Sequence, residues 1–226
     1  MLRLNDKGGD WDRRNRLKVF EGTYFMLTRD FEKASELLLS SVAVFTAEEM
    51  FDYKTFVLYT VVVALTCLDR VRLRKEVVDS PDVLSVILDI PYLSEFLNSL
   101  YECRYAKFME ALVNIEPYLR RERFLSEHAS YLIREMRIRA YAQFLDAYKS
   151  VTMQGMANAF GIGQKFLDSE LSRFISARRL NARIDKIRGV IETTRPDAKN
   201  SQYQEVIKHG DMLLNRIQGL SRSIHI

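Results

Sequence analysis

No glycine occurs between Gly22 and Gly155 in this chain of 226 residues. Glycine supplies the positive-φ positions that tight turns and strand ends require. A gap that long excludes a β-sandwich or a doubly wound nucleotide-binding fold over residues 23–154. It leaves helices joined by short connections. Six of the 9 glycines (Gly155, Gly161, Gly163, Gly189, Gly210 and Gly219) lie beyond the gap, so the architecture is expected to change near residue 155. With 47% hydrophobic and 28% charged residues, the composition is that of a folded chain with a core. The longest largely apolar run, Phe56 to Leu68, is shorter than the roughly 18 residues a membrane span needs, and no signal-like apolar segment opens the sequence. Cys67 and Cys103 both fall in apolar helical surroundings, and no Asn-x-Ser/Thr acceptor occurs. The expectation is a protein of the cytoplasm and nucleus with buried, reduced thiols.

The first half reads as paired helices. Leu17, Val19, Phe20, Tyr24 and Leu27 are spaced for a helix over residues 15–28, and Asp30 is placed to cap a second over residues 31–45. Gly22 and Ala34 stand where two antiparallel helices would approach. A second copy falls at Ser99, Phe108, Ala111 and Ile115, with Phe31-Glu-Lys-Ala34 echoed by Phe108-Met-Glu-Ala111. This is the spacing of tetratricopeptide-like hairpins. Between them, Phe56–Leu68 reads as a buried helix despite the β propensity of Val61–Val63. Ser80-Pro81 and Ile90-Pro91 read as helix starts, and Glu116-Pro117 as a break.

From Ser126 the order changes. An amphipathic helix over residues 130–149 precedes a turn at Val151. Thr152 is placed to cap a short helix, Met153 to Phe160, and Gly161-Ile-Gly163 turns the chain into a helix over residues 164–177. Strand-like runs over 180–185 and 190–194 follow, completing the order of a winged helix. The last helix repeats apolar residues at Tyr203, Val206, Gly210, Leu213, Ile217 and Leu220, a 3–4 alternation widened by Ile207 and Leu214. The fold class expected is mainly α: a helical-repeat arm over 1–125, a winged-helix part over 126–200 and an assembly helix over 201–226.

Little of the sequence is suited to catalysis. His128, His209 and His225 are isolated, no Cys-x-x-Cys occurs, and Gly161-x-Gly163 follows a helix rather than a strand. No catalytic, cofactor-binding or metal-binding residue and no small-molecule substrate is expected. Charge is uneven: residues 171–226 hold 11 Lys/Arg against 5 Asp/Glu, within a chain of net charge +4. In the recognition-helix position, however, Lys165 and Arg173 are balanced by Asp168 and Glu170. Protein is therefore favoured over nucleic acid as a partner, and Arg178, Arg179, Arg183, Lys186 and Arg188 on the hairpin are read as solvated or as meeting an acidic protein, with RNA the less favoured alternative.

Helical hairpins, a winged helix and a lone amphipathic helix occur in the order of a PCI domain. Gly9-Asp-Trp-Asp-Arg-Arg-Asn-Arg16, Asp52-Tyr-Lys-Thr-Phe56, Ser99-Leu-Tyr-Glu-Cys-Arg-Tyr105, Arg134-Glu-Met-Arg-Ile138, Leu171-Ser-Arg-Phe-Ile175, Arg195-Pro-Asp197, Gln202-Tyr-Gln-Glu205 and Leu213-Leu-Asn-Arg216 go further. Over nearly the whole chain these resemble the non-ATPase lid subunit 6 family of the proteasome regulatory particle. That family is longer on its N-terminal side, and Val71–Ile87, Ala182-Arg183 and Gly189 diverge from its pattern. The resemblance implies a structural subunit without an active site, serving assembly and ubiquitin-dependent degradation, whose partners are other lid subunits carrying PCI domains. Wing-strand residues Leu180, Ala182, Ile184, Val190 and Ile191 would pair with a neighbour by β-augmentation. Tyr203, Val206, Leu213, Leu214, Ile217 and Leu220 would enter a shared helical bundle. The alternatives are a PCI scaffold of the signalosome or of an initiation-factor complex, and a nucleic-acid-binding winged helix.

Overall fold

A computed structural model describes residues 11–194 and 198–224; the expected turn at Arg195-Pro196-Asp197, and His225, lie outside them. Helix α1 (Trp11–Leu27) is followed by α2 (Phe31–Ser41), which tightens into a 3₁₀ turn at Val42–Val44. The α1 end is set by Arg29 at φ 65°, with the Asp30 N–H reaching back to the Phe25 carbonyl at 2.9 Å. The close approach within this hairpin is not Gly22 to Ala34 but Gly22 to Leu38. A Cβ added at Gly22 would lie 3.0 Å from Leu38 Cδ2. The three-residue link between the helices fixes this register, and Ala34 is buried one turn earlier.

Helix α3 (Tyr53–Cys67) is buried at every position from Phe56 to Leu65. Covered on all sides, it can be apolar all round, so Val61–Val63 stay helical despite their β propensity. A short helix α4 (Arg70–Leu73) runs into a π turn at Arg74–Val78. Helix α5 (Pro81–Ile87) begins at its proline as expected. Ile90-Pro91 does not start a helix: Tyr92 takes a left-handed φ of 65°, and α6 (Leu93–Tyr101) begins after it. With α7 (Tyr105–Arg121) it forms the second hairpin, where Phe96 stacks on Phe108 at 5.2 Å and Ser99, Ala111 and Ile115 are buried. Helix α7 also runs through Pro117 rather than breaking at Glu116-Pro117. Both Pro117 and Val113 face outward, so the Val113 carbonyl that loses its donor is left to water.

Helix α8 (Ala129–Leu145) opens the winged helix and ends earlier than its periodicity predicts, leaving Tyr148 half-exposed beyond it. Val151, expected in a turn, instead lies in strand β1 (Ser150–Thr152). Helices α9 (Met153–Phe160) and α10 (Gln164–Ser176) follow, then β2 (Ala182–Asp185), β3 (Val190–Thr193) and the terminal α11 (Ala198–Ile224). The Thr152 hydroxyl accepts from the Gly155 N–H at 3.2 Å, capping α9, and Gly161 at φ 66° ends it. The three strands pair antiparallel in the order β1-β3-β2. Tyr105 of the arm stacks on Phe160 at 4.8 Å, and Tyr141 meets the same ring at 4.9 Å, so arm and winged helix share one core. Cys67 and Cys103 are half-buried rather than buried, because each lies at a helix end.

Candidate interaction surfaces

From Gln202 to Ser221 every residue of α11 is exposed, with Gly210 intermediate. Tyr203, Val206, Leu213, Leu214, Ile217 and Leu220 are 57–68% exposed, although their spacing places them on one stripe. A helix polar all round needs no cover. This one has an apolar stripe, and none of the described residues buries it. Burying each such side chain is worth about 1.5–3 kcal/mol. The stripe has a hollow of about 590 Å³ at Gly210, bordered by Glu205, Val206, His209 and Leu213.

The wing offers less side chain than its sequence implies. Leu180, Ala182 and Ile191 are buried in their own domain, and Ile184 and Val190 are half-buried. Strand β3 is central, paired through Ile191 to both Val151 and Ile184, so Val190 and Ile191 have no free edge. The expectation of augmentation through both wing strands is corrected on this point: among the described residues only β2 retains an open outer edge on the wing, and it would contribute backbone rather than apolar side chains. At the wing tip Asp185 Oδ1 accepts from the Ile187 and Arg188 N–H groups at 3.0 and 3.2 Å, and Ile187 is 99% exposed.

A polar joint ties α8 to α10. Glu170 is buried and accepts from the Tyr141 hydroxyl at 2.9 Å, while its other oxygen meets Arg137 at 3.1 Å. Burial, then the Glu170 charge, pushes the Tyr141 phenol well above its ordinary value. Arg179 pairs with Glu135, which Arg134 also approaches. Glu170 therefore faces the core and not a phosphate partner, against the charge balance expected of this helix. Leu167, Glu170, Leu171 and Phe174 form one helical face, which is legible in their spacing, and that face is the buried one. Of the hairpin cations, Arg188 lies 3.8 Å from Asp185 and Lys186 lies 3.4 Å from Asp168, while Arg178 takes a left-handed φ of 56°.

Two further polar contacts hold the arm, and neither is readable from sequence because the partners are far apart in the chain. Arg139 of α8 donates to the Leu65 carbonyl at 2.7 Å and also to that of Leu68, placing a cation at the C-terminal end of α3. Arg29 Nε donates to His128 Nδ1 at 3.2 Å, which leaves the ring proton on Nε2, 3.1 Å from the Leu27 carbonyl. Burial pushes the Cys67 thiol up, opposing thiolate formation there. Among the described residues no three His, Cys, Asp or Glu side chains are grouped to hold a metal ion.

Helical hairpins feeding a winged helix that leaves one wing edge and a trailing helix uncovered define a PCI-domain protein, and residues 112–195 match the PCI domain. Residues 1–76 match the family described as 26S proteasome subunit RPN7, and residues 202–224 match the RPN7/PSMD6 C-terminal helix. On these matches the chain belongs to the RPN7 family. It is 53% identical over 224 residues to the 26S proteasome non-ATPase regulatory subunit 6 homolog of Arabidopsis thaliana, covering 99% of this chain and 58% of that protein. Identity to the 26S proteasome regulatory subunit RPN7 of Saccharomyces cerevisiae is 39%, over 98% of this chain and 52% of the relative. A more distant similarity, 28% over 66% of this chain and 34% of the relative, is to COP9 signalosome complex subunit 1 of Arabidopsis thaliana. The chain thus spans less than two thirds of these relatives.

Proposed function

We propose that this protein is a structural, non-catalytic subunit of the proteasome regulatory particle, acting in the cytoplasm and nucleus through contacts with other PCI-domain subunits. The observation that carries the reading is α11, whose apolar stripe has no cover among the described residues. Residues 201–226 act as the assembly element, 126–200 as the winged-helix part with β2 as its open wing edge, and 1–125 as a helical arm. The similarity to proteins named as proteasome regulatory subunits supports this assignment.

The test is co-assembly. A tagged full chain expressed in a eukaryotic cell is expected to co-purify with proteasome regulatory subunits, and the chain lacking residues 201–226 is expected not to. Unchanged co-purification of the truncated chain would falsify the role of α11. Recovery of signalosome subunits instead would favour the second reading, for which the likeness to a signalosome subunit is the specific support.

A further inference from the structure

The face of the winged helix that lies opposite its core has a composition of its own. Helix α10 packs inward through Leu167, Glu170, Leu171 and Phe174. Outward it presents Lys165, Ser169, Arg173 and Ser176, all exposed, with Gln164 and half-buried Ser172 alongside. That outward line contains no carboxylate. Asp168 at its flank is held by Lys186 of the wing at 3.4 Å, and Asp185 closes the wing turn through two backbone N–H groups. Glu135 is held by Arg179 and Arg134. Arg183 stands opposite Glu192 in the strand register, yet Lys165, Arg173, Arg178 and Arg183 make no ion pair among the described residues.

We propose that this face binds duplex DNA, with α10 lying in the major groove and Arg183 of the wing on the adjoining phosphates, while Lys186 and Arg188 stay on Asp168 and Asp185. The physical case has three parts. A helix about 10–12 Å across fits a groove about 12 Å wide. Ser169, Ser172 and Ser176 are small, so the helix axis approaches closely, and the Ser169 and Ser172 hydroxyls with Gln164 donate to phosphate or base edges, the Ser176 hydroxyl being given to the Ser172 carbonyl at 2.7 Å. The four cations without ion pairs supply phosphate contacts from both helix and wing. A protein partner would call for buried aromatic anchors along the line. This face has one half-exposed aromatic, Phe166, at its N-terminal end. The surface shares Arg183 with the β2 edge but is separate from α11, so loss of co-purification on removing residues 201–226 and loss of DNA binding on changing Lys165 and Arg173 are read independently.

The experiment is fluorescence anisotropy of a labelled duplex of about 20 base pairs titrated with the full chain at several salt concentrations. Binding is expected in the micromolar range at low salt, with log K falling against log salt at a slope of about −3 to −4, as four phosphate contacts require. The double substitution Lys165→Glu, Arg173→Glu is expected to weaken binding at least about tenfold and to flatten that slope by about 2. Lys54→Glu, on the arm where Lys54 pairs with Asp89 at 2.8 Å, is the control and is expected to change neither. Unaltered helical circular dichroism and melting of each variant would show that lost binding is not lost folding. Three outcomes overturn the proposal: no anisotropy change at low salt and about 50 μM protein; RNA duplex bound as tightly as DNA, since a helix does not enter the narrow A-form major groove; or displacement by polyglutamate at equal charge concentration, which would assign the face to an acidic protein.

Discussion

Helices α3 and α11 are both rich in apolar residues and treat them in opposite ways. In α3 the residues from Phe56 to Leu65 are buried without exception, and neighbouring elements surround the helix. In α11 the apolar residues are gathered on one stripe and remain about three-fifths exposed. The first pattern has no face because every side is used within the chain. The second has a face, and none of the described residues covers it. Apolar content alone does not separate a core helix from one with an uncovered face; the width of the stripe and the presence of something to cover it do.

That contrast is open to mutation. Val62→Asp places an unpaired carboxylate at the centre of α3, where Val62 is fully buried, and is expected to cost more than about 4 kcal/mol and leave no cooperative urea transition. Between the extremes lies the joint of α8 and α10. Tyr141→Phe removes one donor from the buried Glu170 carboxylate and is expected to lower unfolding free energy by about 2 kcal/mol, read by the same titration. Arg139→Met strips the cation from the Leu65 and Leu68 carbonyls, with an expected loss of about 1.5 kcal/mol and faster amide exchange in the last turn of α3. The smallest effect belongs to α11: Leu213→Glu is expected to leave the monomer within about 0.5 kcal/mol of the parent while abolishing recovery of partner subunits. A large loss of monomer stability from Leu213→Glu would erase the distinction between the two helices.

Much of this architecture is readable from periodicity. The buried α3, the hairpin residues Phe108, Ala111 and Ile115, the Thr152 cap and the apolar stripe of α11 all follow from spacing and side-chain type, because each is a local property. What periodicity does not give depends on surroundings. Pro117 sits inside a helix because its freed carbonyl faces water, a fact about exposure that no dipeptide rule holds. Val151 is extended because Ile191, forty residues on, pairs with it. The wing strands look like two candidate edges until the sheet order makes β3 central. Glu170 is the instructive case: its place on the Leu167–Leu171–Phe174 face was in the sequence, but summing the charges of α10 ignored which way each one turned.

The sheet order also dictates an order of events. The β2–β3 hairpin closes a loop of only a few residues, from Asp185 to Val190. Pairing β1 with β3 instead joins Thr152 to Val190 and Ser150 to Glu192. Loop-closure entropy grows with the logarithm of length, so the second closure costs about 1.5–2 kcal/mol more than the first. The wing therefore zips early. The short first strand waits for it through the synthesis of α9 and α10, and the winged helix becomes a closed unit only after Thr193 has joined the chain. A break in the chain after α10 would leave Ser150–Thr152 with no strand to bond.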